Sequence, residues 1–292
     1  MSDPDLTYKG KPTCKQCWWS AGHTPNYPKI EFHLTYRCTL ACRACSRACF
    51  LAKPHTEDMT VDDVKELMRQ ADELGYKSGV IMIGGEPTIH PEFIKIVGLV
   101  KNWNKKFPGG GNYVQIYSNG FTQQSRALCK AVSKIGASIF KDEWKTGSRD
   151  GGENGPEWDL NMFVSPKDAG IPYKGKCYCH SSAICGLGVD HNGYSICPIG
   201  LFFAALQPDL KDTVTKKLSD CFNEEWAKKA TIKQCEVCGF MFHKRHGVTH
   251  EDIVKFKEYA STCPIINGMP MSPYWEKVFK DKLIKGYKKN DK

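Results

Sequence analysis

The 292-residue chain, 41% hydrophobic, is long enough to bury a sizeable core in one large or two modest domains, which excludes a disordered polypeptide. Its formal net charge of +9, from 41 basic and 32 acidic residues, is unevenly spread, because Glu276 to Lys292 hold seven lysines against three acids. A solvated lysine tail, able to meet an acidic partner, accounts for much of the excess and argues against a nucleic-acid footprint. Fifteen cysteines cannot all be paired; with a polar start, MSDPDLTYKGKP, and no apolar h-region, the surplus points to metal and a cytoplasmic protein. The longest apolar runs, such as LFFAAL, are too short to span a bilayer, so no membrane association is expected.

Residues 1–28 show no periodicity and read as an irregular N-terminal arm containing Cys14 and Cys17. From Lys29 the pattern alternates between strand and helix. IEFHLTY has the length and composition of a buried strand. Thr60 and Asp63 form a capping-box start, and Val64, Leu67, Met68, Ala71 and Leu74 follow at helical spacing up to Gly75. GVIMIGGEP predicts a strand and glycine turn, residues 91–107 a helix, YVQIYSNG a strand, residues 122–135 a helix and ASIF a short strand. Strict alternation of this kind implies a parallel sheet in an α/β fold, whose ligands gather at the C-terminal ends of the strands. Residues 144–160, rich in glycine and acids, read as a surface loop, and a domain boundary is expected near residue 171. The organisation expected is an arm (1–28), a body (29–170), a cysteine-rich domain (171–264) and a basic tail (265–292).

The chemistry is concentrated in FHLTYRCTLACRACSRACF, where Cys38, Cys42, Cys45 and Cys49 fall within one short stretch behind the first strand. Structural zinc favours four closed ligands, usually two C-x2-C knuckles. Three thiols in one loop suit a cubane iron–sulfur cluster that keeps one iron open. Cys38-x3-Cys42-x2-Cys45, followed by Gly84, Gly85, Glu86 and Pro87 at the end of the next strand, resembles the radical S-adenosylmethionine (SAM) superfamily over residues 29–140. The resemblance implies a partial (βα)6 TIM-like barrel. In it Cys38, Cys42 and Cys45 hold a 4Fe–4S cluster whose open iron chelates SAM, and Cys49 is a spare or supporting thiol. It also implies that Gly84, Gly85, Glu86 and Pro87 admit the methionine amino group, and that Ser118 and Asn119 reach its carboxylate or the ribose. One departure is Ala44, which replaces the usual aromatic residue before the third cysteine.

The later cysteines include Cys177, Cys179, Cys185, Cys197, Cys235 and Cys238. CGLGVDHNGYSICP reads as a hairpin with Cys185 and Cys197 at its ends, and Cys235-x2-Cys238 follows. This arrangement resembles the SPASM or twitch extensions of the superfamily, which hold auxiliary 4Fe–4S clusters. The shorter twitch form is implied here, with Cys185, Cys197, Cys235 and Cys238 as ligands and Cys179 as rival to Cys185. The alternative by residue type is a zinc site of Cys235, Cys238, His243 and His246. Lys141, Asp142, Glu143 and Tyr178 are the candidates to face substrate, and His191 is read as a turn residue.

The expected activity is hydrogen-atom abstraction from a small polar metabolite of sugar, aminocyclitol or nucleoside type, giving dehydrogenation or epimerisation, with flavodoxin or ferredoxin as electron donor. The alternatives are maturation of a peptide or protein side chain and, from another class, a zinc-stabilised nucleic-acid-binding protein.

Overall fold

The computed structural model describes residues 29–40, 42, 45, 47, 49, 57–75, 79–105, 113–140, 161–171, 186–242, 249–266 and 269–280. The first strand, β1 (Lys29–Thr35), is followed by α1 (Val61–Glu73), β2 (Gly79–Gly84), α2 (Phe93–Asn104), β3 (Val114–Tyr117), α3 (Gln123–Lys134) and β4 (Ser138–Phe140). Each strand and helix expected from the sequence in this stretch is present, with α2 shorter at both ends than the expected 91–107. The loss at its start has a local cause: Pro87–Ile89 forms a separate 3-10 turn, and the His90 imidazole accepts from the Glu92 amide at 3.1 Å before the helix begins.

Helix boundaries follow side-chain chemistry. The Thr60 hydroxyl accepts from the Asp63 amide at 3.1 Å while the Asp63 carboxylate accepts from the Thr60 amide at 2.7 Å, a complete capping box. Thr122 caps α3 in the same way through the Ser125 amide.

β5 (Leu187–Asp190) and β6 (Gly193–Ser195) form the hairpin expected between Cys185 and Cys197, but the hairpin joins the main sheet. Among the described residues six strands form the sheet in the order β4-β3-β2-β1-β5-β6, with β1 inside it, the pairings among β1 to β5 all parallel and β6 antiparallel to β5. The α/β class holds. β5 pairs with β1, so the sheet draws strands from both sides of the boundary expected near residue 171.

The two faces of the sheet differ. Ile30, Phe32 and Leu34 of β1, Val80 and Met82 of β2, and Val114 and Ile116 of β3 pack against α1 and α2 in one apolar core. On the opposite face β1 presents Glu31 and His33, both buried. Beyond β6, every residue of α4 (Pro198–Leu206) is buried. Its Phe202 and Phe203 join Phe163, Trp275 and Phe279 in an aromatic cluster, with the Phe203 and Trp275 rings 4.3 Å apart. The Trp275 indole donates to the Val237 carbonyl at 2.7 Å, fixing α7 (Pro273–Lys280) against the end of α5 (Glu224–Glu236). α6 (His250–Thr262) packs through Ile253 and Phe256 in a third, smaller core. Ile265–Ile266 and Met269–Pro270 pair as a small hairpin, β7 and β8. Among the described residues no helix is long and apolar enough to cross a membrane.

Replacing Thr60 with Ala removes the capping oxygen of α1, and a loss of about 1 kcal/mol is expected. It should appear as a lower denaturant midpoint with an unchanged slope; an unchanged midpoint would mean that the cap contributes nothing.

Candidate active site

Three strand ends converge. β1 runs into the cysteine loop, β2 ends at Gly84 and Gly85, and β3 ends at Ser118 and Asn119. The pairing of β1 with β2 continues past the strands, with the Gly85 amide donating to the Thr35 carbonyl at 2.7 Å and the Glu86 amide to the Arg37 carbonyl at 2.8 Å. This close approach explains the glycines. A Cβ on Gly84 would lie 2.2 Å from the Thr35 carbonyl oxygen and one on Gly85 would lie 2.0 Å from that of Arg37; Gly84 also has φ of 136°.

Glu86 is completely buried, and four donors surround its carboxylate. Oε1 accepts from the Thr88 amide (3.1 Å), the Thr88 hydroxyl (2.5 Å) and the Ser118 hydroxyl (2.8 Å), and Oε2 accepts from the Asn119 amide (2.7 Å). The Asn119 side-chain amide in turn donates to the Thr39 hydroxyl at 3.2 Å and lies 3.6 Å from the Cys38 sulfur. Glu86, Ser118, Asn119 and Cys38 therefore form one hydrogen-bonded unit across β1, β2 and β3. Pro87, also buried, opens the turn that presents the Thr88 donors.

Cys38, Cys42, Cys45 and Cys49 are all half-buried and none is in a disulfide. Burial pushes Cys38 up to about 12, and the sulfurs of Cys45 and Cys42 add to that rise. Cys45 is pulled down to about 6, chiefly by a hydrogen bond from the Cys49 thiol, and Cys49 is raised by the same contact. Among the described residues no three His, Cys, Asp or Glu side chains converge as ligands of a single metal ion. A cubane cluster asks for something different, since each thiolate binds its own iron and the sulfurs surround a volume instead of a point. A half-buried, all-sulfur donor set on one short loop fits that group.

At the later cysteines, Cys197 caps α4, where the helix dipole favours a negative ligand, and Cys235 lies in the last turn of α5. The Cys238 amide donates to the Cys235 carbonyl at 3.3 Å. Burial raises the Cys238 thiol, the Cys197 sulfur adds a smaller rise, and both residues pack against the same aromatic core. Cys179, Cys185, His243 and His246 lie outside the described residues, as do Lys141, Asp142, Glu143, Tyr178, Cys14 and Cys17. His191 sits in the turn between β5 and β6 and meets the Asp63 carboxylate at 2.9 Å.

The sequence reading missed a buried polar chain beneath the cysteine loop. The Glu31 Oε1 accepts from the Arg47 guanidinium at 2.5 Å and lies 2.8 Å from His33 Nε2. His33 Nδ1 lies 3.0 Å from the Tyr36 hydroxyl, which donates to Asp190 at 3.0 Å. Burial opposes ionisation of Glu31, yet Arg47 and His33 outweigh it and hold the carboxyl at about 2. Burial lowers His33 and pushes Asp190 up to about 6 against the pull of the Asn192 amide, Tyr36 and Lys216. The available signal was two ionisable residues, Glu31 and His33, alternating on a strand whose other face is apolar.

Residues 32–141 match the family model described as the Radical SAM superfamily. A 69-residue segment is 30% identical to the S-adenosylmethionine-dependent nucleotide dehydratase of Selenomonas ruminantium, spanning 24% of this chain and 24% of that protein. Among solved structures, BtrN in complex with AdoMet and 2-DOIA is similar at 16% identity and a TM-score of 0.48, covering 72% of this chain and 92% of that one. Selenomethionine BtrN in an open conformation gives a TM-score of 0.45 at 16% identity, over 72% and 85%. The matched segment, residues 32–141, contains the cysteine loop, the GGEP turn and the strand ends around Glu86, and the chain spans about a quarter of the length of the curated relative.

Two outcomes follow from the geometry. Glu86→Gln puts an amide NH2 against one of four donors, so a loss of about 1–3 kcal/mol is expected in urea denaturation; an unchanged stability would show that the network is slack. Asp190, raised above an unfolded value of about 3.9, stabilises fully below about pH 4 and loses that contribution as pH rises through about 6. The stability advantage of wild type over Asp190→Asn should therefore shrink by about 2 kcal/mol between pH 4 and pH 7; a difference independent of pH would refute this.

Proposed function

We propose that the protein is a radical SAM enzyme that removes a hydrogen atom from a small polar metabolite of sugar, aminocyclitol or nucleoside type, giving dehydrogenation or epimerisation. The observation that supports it most is the meeting of three motifs at adjacent parallel strand ends, joined through Glu86. Cys38, Cys42 and Cys45 would hold the 4Fe–4S cluster, with SAM framed by Gly84, Gly85, Glu86, Pro87, Ser118 and Asn119. When bound, these groups supply a 5′-deoxyadenosyl radical able to attack an unactivated C–H bond.

The chain's own residues prepare that site. Glu86 fixes Ser118 and Asn119 with respect to Cys38, so the strand ends are set before any ligand arrives. Since four donors already engage its carboxylate, Glu86 serves the site mainly by holding the backbone of β3 in place. Cys185, Cys197, Cys235 and Cys238, with Cys179 as rival to Cys185, would hold an auxiliary 4Fe–4S cluster of the twitch type. The packing of Cys197 and Cys238 against the same aromatic core supports this reading. Lys141, Asp142, Glu143 and Tyr178 are the proposed substrate-facing residues, and the lysine-rich end is suited to docking an acidic flavodoxin or ferredoxin. The name of the dehydratase relative favours a nucleoside-type substrate within this class.

The substrate class is tested by offering deuterated sugars, aminocyclitols, nucleosides and peptides to the reduced, reconstituted protein and weighing the 5′-deoxyadenosine produced. Deuterium is expected from a small polar metabolite; transfer from peptides alone would instead identify a side-chain maturase. For the auxiliary site, about eight irons per chain should fall to about four when Cys38, Cys42 and Cys45 are all replaced by Ala. About four falling to none would refute the second cluster.

A further inference from the structure

Glu31 lies on a strand inside the sheet and is 3% exposed. A buried carboxylate there is strongly unfavourable unless paired, and a pair of apolar side chains of similar size is often at least as stable. The equivalent face of neighbouring β2 does carry apolar residues, Ile81 and Ile83. The charge is therefore not required for packing, and its partner indicates its use. Arg47 belongs to the cysteine loop, two residues after Cys45, and its side chain is 9% exposed. Its guanidinium meets Glu31 Oε1 at 2.5 Å, while His33 steadies the same oxygen from the strand side. The loop is thus tied to the floor of the sheet at a point between Cys45 and Cys49.

Such a tie matters for a loop that must present three sulfurs in fixed relation to the turn at Gly84–Glu86. Loop backbone and side chains are costly to order, and contacts behind metal ligands typically change affinity by about 10–100-fold when removed. The pair is also electrically matched. Arg47 and Glu31 carry opposite charges and balance one another within the buried interior.

We propose that the Glu31–Arg47 pair is a positioning device for the three-cysteine loop, setting the geometry in which the loop and the GGEP turn together receive SAM. This rests on the assignment of Cys38, Cys42 and Cys45 to the first cluster. His33, Tyr36 and Asp190 extend the same chain to the end of β5, so the device is braced on the hairpin that leads to Cys197.

The test compares wild type with Glu31→Gln, Arg47→Met and the double variant, after anaerobic reconstitution. Thermal unfolding, iron content and the paramagnetic resonance spectrum of the reduced protein titrated with SAM are recorded for each. The single variants should unfold at lower temperature, each leaving one buried charge unmatched, and the double variant should recover most of that loss. All three should still bind SAM at least about tenfold more weakly than wild type, with an altered SAM-dependent spectrum. A double variant that regains both stability and wild-type SAM affinity with an unchanged spectrum would reduce the pair to a structural contact and overturn the proposal. A wild type that takes up no iron would instead overturn the cluster assignment and, with it, this inference.

Discussion

The structure around the site depends on one buried carboxylate. Glu86 receives hydrogen bonds from its own turn and from the end of β3, while its amide continues the pairing of β2 with the extension of β1. A buried carboxyl oxygen is tolerated only where donors replace its hydration, and this requirement brings three separate strand ends into one arrangement. Gly84 and Gly85 are part of the same constraint, because any side chain there would push the turn away from β1 and pull Glu86 out of reach of Ser118 and Asn119. The motif is thus a packing solution before it is a binding surface.

A second set of buried polar groups lies beside it on the same sheet. Glu31, His33, Tyr36 and Asp190 run along the inner side of β1 to β5, with Arg47 joining from the cysteine loop. β5 continues through β6 to Cys197 at the start of α4, and α4 packs into the aromatic cluster that also anchors Val237, beside Cys238. The two cysteine regions are consequently attached to one sheet through β1 and β5, so their relation is set by a rigid element.

The strands and helices from Lys29 to Phe140 were legible because their signals are local: alternating or helical apolar spacing, threonine caps and glycine stops. The cysteine loop and the GGEP turn were legible as short motifs. The position of the hairpin was not, since strand pairing is a long-range choice and nothing local in LGVD says that it will lie beside β1 instead of β4. Glu31 and His33 were passed over because IEFHLTY reads as an ordinary strand, and the partners that make its charges tolerable, Arg47 and Asp190, come from distant parts of the chain. Glu86 was read as a ligand contact, while its four donors became visible only once β2 and β3 were set side by side.

The central proposal is that Cys38, Cys42 and Cys45, with Cys38 beside Asn119, make a site that cleaves SAM reductively. The most direct test is to reduce the anaerobically reconstituted protein with SAM and measure 5′-deoxyadenosine and methionine. Equal amounts of both should form with wild type, and none with Cys42→Ala. An iron-loaded wild type that forms neither product, or a Cys42→Ala variant that forms both at the wild-type rate, would contradict the account.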